Sequence, residues 1–113
     1  MSKFLIYATY AQRNNDDEDL GLNQWLVGER TSLKECYDLG KEHITESTRQ
    51  NCEDMYEGAE IETRFEDIMS ELQTYEYKPQ DFSLEPITIY EIDYTYPSGY
   101  MREKFYIWVI RLS

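Results

Sequence analysis

Ser32, followed three residues later by Glu35 in the stretch TSLKE, is a helix start. A serine hydroxyl there accepts from the amide three residues on, and the glutamate reaches back to the cap. From Leu33 the apolar and small residues recur at Leu33, Cys36 with Tyr37, Gly40, Ile44, Thr48, Cys52 and Met55. Intervals of three and four place them on one side of a helix. Gly58 supplies the left-handed terminator that commonly follows a helix. The spacing therefore predicts one helix over 33–57, about 37 Å long at roughly 1.5 Å per residue. The chain has 113 residues. That is enough for one core and too short for two, so residues 1–113 are read as a single acidic α+β domain.

Strand signals lie on both sides of this helix. Residues 3–11, KFLIYATYA, and 22–30, LNQWLVGER, are short apolar runs separated by the Asn- and Asp-rich residues 12–21. Asn and Asp favour turns because their side chains bond nearby backbone groups, so a hairpin with a long polar loop is expected. Residues 59–64, AEIETR, alternate and read as a short strand. Phe65, Ile68, Met69, Leu72 and Tyr75 then have helical spacing. Pro79 and Pro86 bracket a loop, with Phe82 and Leu84 expected to pin it to the core. Residues 87–96 and 101–112 flank the turn PSGY as a second hairpin.

Charge fixes the register of that hairpin. If Tyr96 opposes Met101, Asp93 faces Lys104, Ile92 faces Phe105 and Ile89 faces Trp108. A shift by one sets Asp93 against Glu103, and like charges opposed across strands destabilise. The first register is preferred. The expected order is β-β-α-β-α-β-β: one antiparallel sheet made from the N-terminal and C-terminal hairpins, with one long and one short helix packed on one face.

The formal charge is −12, from 23 acids and 11 bases. Nucleic acid bound through its phosphates needs Lys and Arg to displace counterions, and docking on anionic lipid needs them too. No direct nucleic-acid contact and no membrane contact are expected. The charge is also unevenly placed. Residues 35–76 hold thirteen acids against three bases, whereas residues 87–113 hold three of each. Glu35, Asp38, Glu42, Glu46, Glu53 and Glu57 step along the long helix by threes and fours with one gap of seven. Carboxylates one turn apart lie about 5–6 Å from each other, a spacing comparable with that of phosphates along a DNA strand, which rise about 3.4 Å each. A solvated face explains such a ridge, and so does a surface that presents a basic groove with something like a nucleic-acid backbone.

The common chemistries are hard to place. Asp16, Asp17, Glu18 and Asp19 form the densest acidic run, but an EF-hand framed on Gly21 has Leu20 at its fifth position and Val27 at its twelfth, where oxygen ligands belong. It reads as a hairpin loop. His43 is the lone histidine, too far along the helix from Cys36 and Cys52 for a zinc set or a thiolate–imidazole pair. Cys36 and Cys52 are separated by sixteen residues of helix, roughly 24 Å, and cannot form a disulfide. No glycine-rich phosphate loop or nucleophile elbow is present. No metal and no cofactor are therefore expected. Glu91 and Asp93, on an otherwise apolar strand, are the only distinctive carboxylates for acid–base work, and a pairing of Asp93 with Lys104 is the plainer account.

Reduced cysteines, the absence of a signal-peptide pattern in Met1–Tyr10 and the lack of a span of roughly 20 apolar residues lead to the expectation of a soluble cytoplasmic protein. The leading functional expectation is a non-catalytic module whose acidic helical face, with residues 16–19, engages a basic protein surface. Its sharpest form is a nucleic-acid-mimicking inhibitor of the anti-restriction or anti-CRISPR kind found in phages and bacteria. The alternative is a structural or homodimeric domain associating through the aromatic final hairpin at Tyr106 and Trp108, since tyrosine and tryptophan are enriched at interaction hot spots. A small enzyme with a buried carboxylate ranks last.

Overall fold

The structure, a computed structural model, describes residues 2–14 and 19–113. Strands β1 (Phe4–Asn14) and β2 (Asp19–Arg30) lead into helix α1 (Leu33–Met55) and helix α2 (Ala59–Met69); β3 (Gln73–Thr74), β4 (Ile87–Thr95) and β5 (Met101–Arg111) complete the chain. All five strands form one antiparallel sheet in the order β2-β1-β5-β4-β3. The α+β class, with one long and one short helix on one face of that sheet, is as the patterning predicts.

Helix α1 starts where the capping box places it: the Glu35 amide donates to Ser32 Oγ at 3.2 Å, and the Ser32 hydroxyl donates to the Glu35 carboxylate at 2.8 Å. Its buried residues are Cys36, Gly40, Ile44, Thr48 and Cys52, every fourth position. This row packs on inward side chains of the central strands, among them Phe4, Ile6 and Ala8 of β1, Phe105, Ile107 and Val109 of β5, and Ile89 and Ile92 of β4. Phe82 is buried against Phe4, rings edge to face at 5.9 Å, and so fastens the loop before β4.

Several expectations change. Residues 59–64 are the start of α2 and not a strand. Their alternation is the start of a helical stripe, Ile61, Phe65 and Ile68, read two residues at a time; α2 ends at Met69, short of Leu72 and Tyr75, and the third strand is the short β3 beyond it. Helix α1 stops at Met55, so Glu57 lies in the link before Gly58, whose φ of +60° turns the chain into α2. The strands of the first hairpin extend further into residues 12–21, as far as Asn14 and back to Asp19, because Gln12 and Arg13 still find partners in Gly21 and Asp19. Leu84 is 69% exposed, leaving Phe82 as the anchor.

The register of the last hairpin follows the charge argument at its tip: Asp93 pairs with Lys104, Ile92 with Phe105, and the Tyr96 amide donates to the Met101 carbonyl at 2.9 Å. It departs at Ile89, where a bulge intervenes and Thr88, not Ile89, faces Trp108. The bulge turns both Ile89 and Tyr90 into the core, where Tyr90 meets α1.

Gly40 is the point of closest approach between layers. A Cβ there would lie 2.9 Å from Ile107 Cγ2 and 3.3 Å from two ring atoms of Tyr90. Neither neighbour can retreat, because Ile107 is fully buried and the Tyr90 hydroxyl is held by the Tyr37 carbonyl at 3.0 Å. Overpacking of this kind costs about 1–3 kcal/mol, more than the roughly 1 kcal/mol that alanine contributes over glycine in a helix. Gly40→Ala should lower the denaturant midpoint despite its better helix propensity, and Gly40→Leu should lower it further.

Candidate partner-binding face

Turning 100° per residue, Glu35, Asp38, Glu42, Glu46 and Glu53 fall within an arc of about 80° on α1. The buried row lies on the opposite side of the helix. All thirteen carboxylates between residues 35 and 76 are exposed. Four have cationic partners: Asp38 with Lys34 at 3.1 Å, Glu62 with Arg49 at 3.0 Å, and Glu60 and Asp67 with Arg64 at 3.7 and 3.5 Å. The other nine, including Glu42, Glu46, Glu53 and Glu57, make no ion pair among the described residues, although the Arg49 charge acts on Glu53 from one turn away. From Glu35 to Glu53 the ridge runs about 27 Å, eighteen residues at roughly 1.5 Å each.

Arg49 is the one base inside this surface that ties two elements together. It bonds Glu62 on α2 and lies 4.2 Å above the Phe65 ring, so it fixes α2 beside α1, and its charge also acts on Glu53 one turn along α1. Asp16, Asp17 and Glu18 lie outside the described residues, and Asp19 opens β2. The structure thus brings together five of the ten sequence-selected acids on one helix face and sets Glu57 just past its end.

Tyr106 and Trp108 are on the other side of the sheet. The Trp108 ring stacks on Tyr7 with centroids 4.4 Å apart, and its Nε1 donates to Thr9 Oγ1 at 2.8 Å. The acidic and aromatic surfaces therefore face opposite ways, with the sheet between them.

The two carboxylates selected for acid–base work also lie on this open face. Asp93 accepts two bonds from Arg102, at 2.7 and 2.6 Å, which hold its carboxyl below the usual range. Its ion-pair partner is thus Arg102, diagonal to it, while Lys104 is its cross-strand neighbour. Glu91 accepts the Tyr75 hydroxyl at 2.7 Å.

The acid that the sequence reading missed is Glu103, only 6% exposed, which accepts the Tyr96 hydroxyl inside the core. Burial and this carboxylate push both Tyr96 and Tyr10 well above the ordinary phenol range. Its signal was the alternation Glu103, Phe105, Ile107, Val109, which puts Glu103 in phase with the inward residues of β5.

His43 serves packing between layers. Trp25 Nε1 on β2 donates to His43 Nε2 at 2.9 Å, which requires the unprotonated nitrogen. Burial correspondingly lowers the His43 pKa, against a smaller opposing effect of Glu46. Cys36 and Cys52 are free and buried, and burial pushes the Cys36 thiol up to about 11. Among the described residues no group of three or more His, Cys, Asp and Glu side chains is placed to hold a metal ion. Among the described residues no helix is long and apolar enough to cross a membrane.

Comparison of the chain with protein-family models, curated proteins and solved structures returns no significant match.

Two measurements check these contacts. Because the folded pKa of His43 lies below its unfolded value near 6.5, its contribution to stability is complete above that value and is lost as pH falls through the folded pKa. His43→Gln, which keeps an acceptor but does not titrate, should remove that component from the stability–pH curve, followed by Trp25 fluorescence. Glu103→Ala strands the Tyr96 hydroxyl and should cost about 1–3 kcal/mol, read as a lower unfolding midpoint.

Proposed function

We propose that this chain is a non-catalytic binding protein whose acidic helical face engages a basic surface on another protein. In its sharpest form it is an inhibitor that occupies a nucleic-acid-binding groove by presenting carboxylates where phosphates would lie. The observation that carries this reading is the row Glu35, Asp38, Glu42, Glu46 and Glu53 on one exposed helix face, with only Asp38 in an ion pair among the described residues.

The physical logic is one of cost and return. Like charges one turn apart on a helix destabilise it by a few tenths of a kcal/mol per pair. A partner carrying Lys and Arg removes that repulsion on binding, and opposed potentials raise the association rate. A surface arranged in this way gives binding that depends strongly on ionic strength, because exposed charges are screened beyond about 10 Å at 0.1 M salt.

A pull-down from native lysate with this chain as bait should retain a basic protein at low salt and release it at high salt. Against that partner, the triple variant Glu42→Lys, Glu46→Lys and Glu53→Lys should weaken binding by about 100-fold or more, since like-charge contacts cost several kcal/mol. Its slope against salt should flatten, and its unfolding midpoint should hold or rise. Unchanged affinity in a folded triple variant would refute the reading.

A further inference from the structure

The two edges of the sheet are built very differently. At one, β3 is two residues long, and the chain turns away after the Tyr75 amide bonds the Ile89 carbonyl at 2.9 Å. At the other, β2 runs for twelve residues, and no described element pairs with its outer side. An edge strand points half of its backbone N–H and C=O groups outward, ready to pair with another strand. Natural proteins blunt such edges with proline, lysine or other charges. From Leu20 to Gly28, β2 has none of these.

Its side chains reinforce the point. Leu22 and Leu26 face away from the helices, opposite Ala11 and Tyr7, and are 63% and 55% exposed. They extend the apolar side of the sheet, where Tyr7 and Trp108 stack, out to its edge. A molecule with a charge of −12 repels its own copies over most of its surface. The uncharged stretch of β2 is a place where two copies can touch without opposing carboxylates.

We infer that a second copy of this chain is the occupant of this edge, its β2 pairing antiparallel with the first to make a continuous ten-stranded sheet. In such a pair, residues directly opposite must share a sheet face, so the twofold axis passes through a residue position. Centring it on Gln24 sets Leu22 of each copy opposite Leu26 of the other, and both exposed leucines are covered. Centring on Asn23 or Trp25 sets a leucine against Gln24 instead. The bulge that leaves Val27 unpaired with β1 raises the local twist and ends the pairing near there. With the axis perpendicular to the sheet, both α1 helices lie on the same side. This association does not depend on the acidic-face reading. It does predict opposite salt behaviour: salt screens the repulsion between the two helical layers and tightens the dimer, while loosening a complex with a basic partner.

Mass in solution and site-specific crosslinking of the full chain decide it. The wild type should run at twice 13.6 kDa and dissociate on dilution, with a dissociation constant that falls as salt is added. Leu22→Lys with Leu26→Lys, both at exposed positions, should raise that constant by about 100-fold or more while the far-ultraviolet spectrum and thermal midpoint stay close to wild type. Gln24→Cys should form an intermolecular disulfide on mild oxidation, since directly opposed Cβ atoms are about 4.5–5.5 Å apart and the native thiols are buried. Leu22→Cys alone should not crosslink, whereas Leu22→Cys with Leu26→Cys should. A wild type of 13.6 kDa at every soluble concentration, a dimer indifferent to the lysine pair, a dimer loosened by salt, or a Gln24→Cys protein that stays monomeric on oxidation would each overturn the inference.

Discussion

The row Cys36, Gly40, Ile44, Thr48 and Cys52 lets α1 lie directly on the sheet, and most of the molecule's polarity follows from that contact. Four of the five are small, and at Gly40 the helix backbone comes within reach of Ile107 and Tyr90 with no room for a methyl group. A helix held this closely cannot roll about its axis without driving a larger side chain into the strands. Four side-chain bonds hold the same orientation. Trp25 bonds His43 on one flank; on the other, the Tyr37 hydroxyl donates to the Tyr75 carbonyl at 2.5 Å and accepts the Tyr77 amide at 3.1 Å, and the Tyr90 hydroxyl reaches the Tyr37 carbonyl. With the small side fixed inward, the carboxylates of Glu35, Asp38, Glu42, Glu46 and Glu53 have one direction to face.

The sheet divides the molecule into unlike halves. Its inner side, against which Thr48 of α1 packs, is apolar apart from Glu103, which is satisfied by Tyr96, whereas the buried Thr9 lies on the outer side and accepts from Trp108 Nε1. Its outer side mixes aromatic and aliphatic groups with the Asp93–Arg102 pair near the hairpin tip. Leu22 and Leu26 carry the apolar part of that side to an unguarded edge. A thin α+β sandwich of this kind has only one helical layer to cover two sheet faces, so one face stays partly wet, and tyrosine suits it by covering apolar surface with a polar tip.

Much of this was legible in the residues. The capping box and the four-residue stripe locate α1 to within two residues at each end, because a cap and a period act locally and independently of the rest of the fold. The tip register of the last hairpin was legible through charge, since a shift of one would oppose Asp93 to Glu103. What escaped depended on non-local facts. Alternation over six residues fits both a strand and the first turns of an amphipathic helix, and only packing against α1, including Arg49 on Glu62, settles 59–64 as helix. The bulge at Ile89 leaves no local signal, as it arises where β4 must turn two consecutive side chains inward. The Trp25–His43 bond joins residues eighteen apart whose meeting depends on which side of β2 faces α1. For the candidate surface, helical period alone put five acids on one face. It could not separate Glu57, which belongs to the chain after the helix ends.

The positions of the acids bear on why they are there. A helix favours negative charge at its N-terminus and positive charge at its C-terminus, by roughly 0.3–1 kcal/mol for each suitably placed group. Neither helix follows this at its far end: the last turn of α1 contains Glu53 and Asp54 and no base, and the last turn of α2 likewise lacks a base beside Glu66 and Asp67. Solubility alone would be served equally by acids gathered in the first turns, where the dipole welcomes them. Instead they extend along α1 and past its end, and the stability they forgo is offset by packing on the sheet. A line of negative charge, interrupted between Glu46 and Glu53 and maintained where local electrostatics oppose it, is consistent with the proposed recognition of an extended basic surface.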